Sequence, residues 1–449
     1  MSNSLSKKKS LGFWAVVAIG IGGMVGGGIF AVLGLAVELA RGGTPIAFAV
    51  AGVVALITAY SYARLSVTYP SEGGTVEFLN QAFGSGLITG GFNVLLWLSY
   101  IVMLSLYSYA FGSYGATFFS PAIQPIMKHA LICAVVIFLT GLNVLGSKAV
   151  GKAEIWIVLF KITILLFFVG AGLWSINSQQ LQPSTWSKPI ALLAGGMIIF
   201  VAYEGFELIA NTAGDVRNRE RILPRAYFSA VGFVIVLYVF VSTVTVGNLP
   251  IEKIIASKDY ALAEVAKPFL GHFGFILIAI AALLSTASAV NATFYGASRI
   301  SYIIAKDGEL PKILEKKIWH KEAIEGLFIT TGLTLIVANL FDLSSISTMG
   351  SAGFLIIFSV VNFSNLRLYK KTRSKRWISL LGAIVCIIAL IALIWQTLRY
   401  NPINIWILII MLGISFIIEI IYQKFTRRII QPFFKKKIKK TNEDTQKND

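Results

Sequence analysis

The chain has 449 residues, of which 56% are hydrophobic and 13% charged, with a formal net charge of +18 and a mean hydropathy of +0.76. A soluble chain carries about 25% charged residues, so a polar surface around a core does not account for these figures and the apolar excess must face lipid. A soluble enzyme, a secreted disulfide scaffold and a nucleic-acid-binding module are set aside on the same ground. Cys133 and Cys386 lie inside apolar runs as small buried hydrophobes, and His129, His272 and His320 have no ligand-spaced partners, so neither a metal nor a cofactor is expected.

Apolar stretches of spanning length, about 20 residues, are read at 11–39, 45–67, 86–118, 126–146, 153–175, 190–211, 226–248, 269–298, 324–341, 346–366, 377–398 and 402–423. The first is too long for a cleavable signal sequence. Backbone pairing inside lipid requires helices, so the expected fold class is an all-α integral membrane protein with twelve transmembrane helices. With the N-terminus inside, 31 of the 39 Lys and Arg residues lie on the cytoplasmic side and 7 on the outer side, which places both termini in the cytoplasm. The basic tail Lys435–Lys440 then lies against anionic lipid headgroups.

Span one contains Gly20–Phe30, with six glycines in nine residues. Each costs roughly 1 kcal/mol in a helix interior relative to alanine, and residues 26–28 point around the whole circumference, so the spacing predicts an unwound segment here. In span three, Trp97 and Tyr100 either line a pocket or simply pack. Span five carries the one remaining cation, Lys161, nine residues beyond Lys152 and therefore roughly 13 Å deep. Burial disfavours a charged ammonium, so such a group can carry a proton in one conformation and shed it in another.

Span six holds Phe200-Val201-Ala202-Tyr203-Glu204-Gly205-Phe206-Glu207. Two carboxyl groups beside a glycine at membrane depth call for a cavity or for partners. The two disturbed segments each open a five-span block, which is the pattern of an inverted-repeat transporter with its site at the midplane. The expected organisation is a cytoplasmic N-terminus (1–10), a first repeat (11–175), a second inverted repeat (190–366), helices 11 and 12 (377–423) and the basic tail (424–449). A broken helix offers free N–H groups at one half-helix start and free C=O groups at the other half-helix end. Together they suit a zwitterionic amino acid.

Gly20–Phe30 and Phe200–Glu207, followed by Asp215-Val216-Arg217-Asn218, Pro224-Arg225-Ala226, Arg299 with Ala305–Pro311, and Gly146–Glu154, resemble the ordered motifs of the amino acid–polyamine–organocation (APC) superfamily. The resemblance is closest to prokaryotic proton-coupled amino acid transporters with a lysine in the fifth span. It implies a five-plus-five inverted repeat of the leucine-transporter type with helices 1 and 6 discontinuous, and alternating access. It also implies substrate contacts from Gly22, Val25, Gly26, Gly27 and Gly28 and from Phe200, Ala202, Tyr203 and Gly205. Glu204 departs from the family pattern, in which its position is commonly apolar.

By the same resemblance, the Lys161 ammonium replaces the cation of sodium-driven relatives, beside the carbonyl of Gly22 and the hydroxyl of Ser285 or Ser288. The expected function is proton-coupled symport of amino acids into the cell across the plasma membrane. The alternative is an amino acid or polyamine exchanger in which Glu204 receives a cationic side chain. A membrane-embedded enzyme finds no catalytic constellation in the spans.

Overall fold

The computed structural model describes residues 11–145, 150–307 and 324–426. The lysines at 7–9, residues 146–149 of the Gly146–Glu154 motif, residues 308–311 of the Ala305–Pro311 motif, and the basic tail beyond 426 lie outside the described residues. Within them the protein is helical: α1 (Phe13–Met24), α2 (Gly28–Ala40), α3 (Thr44–Thr68), α4 (Thr75–Phe83), α5 (Leu87–Ala116), α6 (Gln124–Leu145), α7 (Val150–Gly172) and α8 (Pro189–Ile198) make up the first half. The second half holds α9 (Arg219–Asn248), α10 (Ile251–Ala256), α11 (Ala261–Asp307), α12 (Ile324–Leu340), α13 (Leu343–Arg367), α14 (Tyr369–Thr372), α15 (Arg376–Tyr400) and α16 (Ile403–Thr426).

Among the described residues, ten helical stretches are long and apolar enough to cross a membrane, and the pair α1 and α2, bent by 45°, makes an eleventh. The twelfth expected stretch, 324–341, forms the apolar but shorter α12. The predicted runs match because lipid selects for length and apolarity, both of which are local properties. Helix ends differ where tertiary contacts decide them. The run read from 269, for example, belongs to a longer helix that begins at Ala261 and bends at Gly271, where φ is +63°.

Helix α5 is buried along nearly its whole length and packs against α6, α11, α12, α13 and α16. Helices α15 and α16 sit outside it, with Ile387, Ile388, Ile391, Ile410 and Ile417 facing outward toward lipid. The beginning of span one and the end of span six are joined by the backbone: Leu11 N–H donates to Asp215 O and Arg217 N–H to Leu11 O. That seam places the two interrupted spans side by side at the centre. Cys386 is buried beside Thr58, and both cysteines are free.

Candidate functional site

Helix α1 ends at Met24 and α2 starts at Gly28. Between them Val25 N–H reaches back to Ile21 O and Gly26 N–H to Gly23 O. The other carbonyls of the break are taken by side chains from distant spans. Lys161 Nζ donates to Gly22 O at 2.9 Å, and Tyr238 OH donates to Met24 O at 2.7 Å. Ser285 Oγ donates to Val25 O at 2.9 Å and also touches Gly26 O. Ser288, on the same helix, is half-buried and is not among the groups that close on the break.

Helix α2 begins at Gly28, and its N-cap residue, Gly27, supplies no side-chain cap. Its first-turn N–H groups therefore lack intrahelical partners. Lys161 is fully buried. An ammonium bonded to a carbonyl that the helix itself has freed is a charge-assisted contact, about twice as strong as a neutral one.

In span six, α8 gives way at Ile198 to a 3-10 turn over Ile199–Tyr203, then to an extended Glu204, and continues as a 3-10 helix over Phe206–Asp215. Gly205 has φ of +116°, and a Cβ there would lie 2.4 Å from Gly23 C. Only glycine fits, both for the left-handed backbone and for the contact that presses the two breaks together. Similarly, a Cβ at Gly27 would lie 2.2 Å from the Tyr107 ring, and one at Gly28 2.7 Å from Ala202 Cα.

The two carboxyl groups are 3% and 1% exposed. Glu204 Oε2 accepts Tyr107 OH at 3.1 Å, while Glu207 accepts Tyr100 OH at 3.2 Å and the Gly205 N–H at 2.7 Å. Glu204 and Glu207 also lie close to each other. Tyr100 therefore reaches the site through its hydroxyl, whereas Trp97 turns away to Thr330 Oγ1.

A cavity of about 660 Å³ runs up to the span-one break, lined by Trp14, Ile19, Gly22, Gly23, Asn143, Val158, Asn211, Asn291 and Arg299 among others. Its size is in the range of small-molecule pockets, roughly 300–1,000 Å³. Of the expected substrate contacts, Gly22 lines it. Val25, Gly26, Gly27, Gly28, Phe200, Ala202, Tyr203, Glu204 and Gly205 come together beyond its inner end, buried against one another. Tyr203 OH donates to Phe48 O and Phe200 packs edge-on against Phe358. The expected residues converge, in a conformation closed around them.

Tyr107 and Tyr238 carry no weight in the sequence reading, yet both hold the breaks. Their signal is faint: a hydroxyl inside an otherwise apolar run, which must find a partner once buried.

The amino acid permease family model matches residues 11–417. An uncharacterized protein of Methanocaldococcus jannaschii is 36% identical over 94% of this chain and 97% of its own. The inner membrane transport protein YbaT of Escherichia coli is 34% identical over 86% and 90%. The branched-chain amino acid permease BcaP of Bacillus subtilis is 24% identical over 82% and 83%. This multi-pass membrane protein belongs to the amino acid permease family, within the APC superfamily.

Proposed function

We propose that the protein is a proton-coupled amino acid symporter of the plasma membrane, with both termini in the cytoplasm and the two breaks as its substrate site. The observation that carries this reading is the contact of Lys161 Nζ with Gly22 O, a titratable cation seated on the opened backbone of span one. While protonated, the ammonium holds the Gly22 carbonyl through a charge-assisted bond. Once deprotonated, it keeps only a neutral bond, and the net value falls from about 1.5–3 to about 0.5–1.5 kcal/mol. That difference is available to release α1 and change which side of the membrane reaches the site.

The amino acid's carboxylate is assigned to the first-turn N–H groups of α2, where the helix dipole favours an anion. Its ammonium is assigned to freed carbonyls of the two breaks. In the topology read from the positive charges, the cavity ending at Gly22 opens to the cytoplasm, so this conformation is the one that delivers or awaits substrate on the inner side. Uptake by proteoliposomes tests the assignment: an imposed inward proton gradient should drive accumulation of labelled amino acid without sodium. Uptake that ignores the pH gradient and follows sodium would overturn it.

The exchanger reading needs Glu204 to leave Tyr107 and Glu207 before it can meet a cationic side chain. Counterflow with arginine, ornithine or putrescine separates the two. Trans-stimulation by these cations would favour exchange, and its absence favours symport.

A further inference from the structure

We infer that Ser347 and Ser351 of α13 are positioning residues that keep span six unwound, the proton-independent counterpart of the Lys161 contact on span one. The inference rests on the transporter reading above, in which α7 and α13 are the last spans of corresponding five-span repeats.

Both hydroxyls donate to Ile198 O, at 2.8 Å for Ser347 and 2.6 Å for Ser351. Ser351 Oγ also accepts the Val201 N–H at 3.0 Å. In an uninterrupted α-helix, Ile198 O would receive the N–H of Ala202. Here its lone pairs are occupied from outside, and the neighbouring N–H of Val201 is drawn to the same hydroxyl. Ser351 therefore stands in for a helical bond on both its donor and acceptor sides. Both serines are fully buried, where an unpaired backbone group costs about as much as a lost hydrogen bond.

Serine and threonine inside a helix ordinarily bond back to their own i−4 carbonyl. Thr348 does so with Ser344 O and Ser359 with Leu355 O. Ser347 and Ser351 instead turn across to span six. Gly350 lies between them, where a Cβ would come within 3.0 Å of Val201 Cγ2, so the close approach of α13 is built for this contact. One and two turns on, Phe354 packs on Phe358, whose ring meets Phe200 on one side of Gly205 and Phe206 on the other. Helix α13 is a splint along the whole break.

The two anchors differ in one chemical respect. Lys161 can gain and lose a proton, whereas a serine hydroxyl does not titrate. The titratable groups beside the splinted segment, Glu204 and Glu207, direct their bonds to Tyr107, Tyr100 and the Gly205 N–H, not to the serines. Span six is thus a fixed rest for the substrate, and proton-dependent movement belongs to span one.

Hydrogen–deuterium exchange on the full-length protein in detergent tests this without a substrate. In Ser351→Ala, exchange across 199–203 should rise about tenfold, equally at pH 6 and pH 8 after correction for intrinsic rates. Ser351→Thr should restore protection, and Thr348→Ala should leave it unchanged. Lys161→Ala should accelerate exchange across 22–28 and not across 199–203. Unchanged exchange in Ser351→Ala, an equal effect from Thr348→Ala, or an equal effect of Lys161→Ala on span six would each overturn the inference. Failure of proton-driven uptake in the wild type would strike the transporter reading alone, because the exchange pattern does not depend on it.

Discussion

In the proposed cycle, Lys161 is the residue on which chemistry and conformation meet. A lysine at this depth costs about 2.5–3.5 kcal/mol on insertion scales, and it is kept where span one has exposed a carbonyl to receive it. Lys161→Ala should abolish accumulation driven by a pH gradient. Accumulation at the wild-type level would remove Lys161 from the mechanism. Gly205 makes a sharper structural demand. Its φ of +116° and its contact with Gly23 mean that Gly205→Ala combines a left-handed alanine, about 1–2 kcal/mol, with a clash between two backbones. A fall of several degrees in melting temperature and loss of transport are expected; wild-type values for both would show that the breaks do not need to touch. Tyr238→Phe removes the hydroxyl that donates to Met24 O and should cost roughly 1–3 kcal/mol, the cost of leaving a buried carbonyl unpaired, measurable as a lower melting temperature.

At the scale of elements, the end of the bundle away from the cavity is closed by the segment from α10 to Tyr260. Lys258 pairs with Glu38 of α2 at 2.9 Å, and Asp259 accepts both Lys128 Nζ at 2.9 Å and Tyr109 OH at 3.2 Å. Lys258 O sits so close to Gly34 that a Cβ there would lie 2.2 Å away. These partly exposed pairs are individually weak, about 0.2–1 kcal/mol. Together, Glu38→Gln and Asp259→Asn should weaken the seal by about 1 kcal/mol, roughly fivefold in population. A cysteine placed at Ile254, a fully buried residue of this segment, should then react several-fold faster with an impermeant maleimide. An unchanged rate would show that these ion pairs do not hold the seal.

Much of this arrangement is legible in the sequence because it depends on local features. Lipid demands apolar runs of a given length, a glycine cluster weakens a helix, and a lone lysine in an apolar run stands out by charge alone. What holds the breaks is not legible, since it depends on helix rotation and on spans hundreds of residues apart. Ser285 and Ser288 are equivalent on paper and differ by 60° around α11, using the 3.6-residue turn; packing alone puts Ser285 on the break. Glu204 reads as a free receptor for a cation until Tyr107 and Glu207 are seen on it. Ser351 resembles every other serine in an apolar run until α13 is placed along span six.

Across the whole molecule, the bundle is closed at one end, pressed together at its two breaks, and open at the other through a cavity of about 660 Å³. That asymmetry is what one state of an alternating-access cycle requires. Asn291→Cys, on the cavity wall, should be labelled by an impermeant thiol reagent from the cytoplasmic side and protected from the outer side; the opposite pattern would invert the topology. The most direct test of the central claim compares wild type with Lys161→Ala in sodium-free proteoliposomes under an inward proton gradient, following labelled amino acid. The account predicts accumulation above equilibrium in wild type that collapses when the gradient is dissipated, and only facilitated equilibration or none in Lys161→Ala. Equal accumulation by both proteins, or accumulation that appears only with sodium, would contradict it.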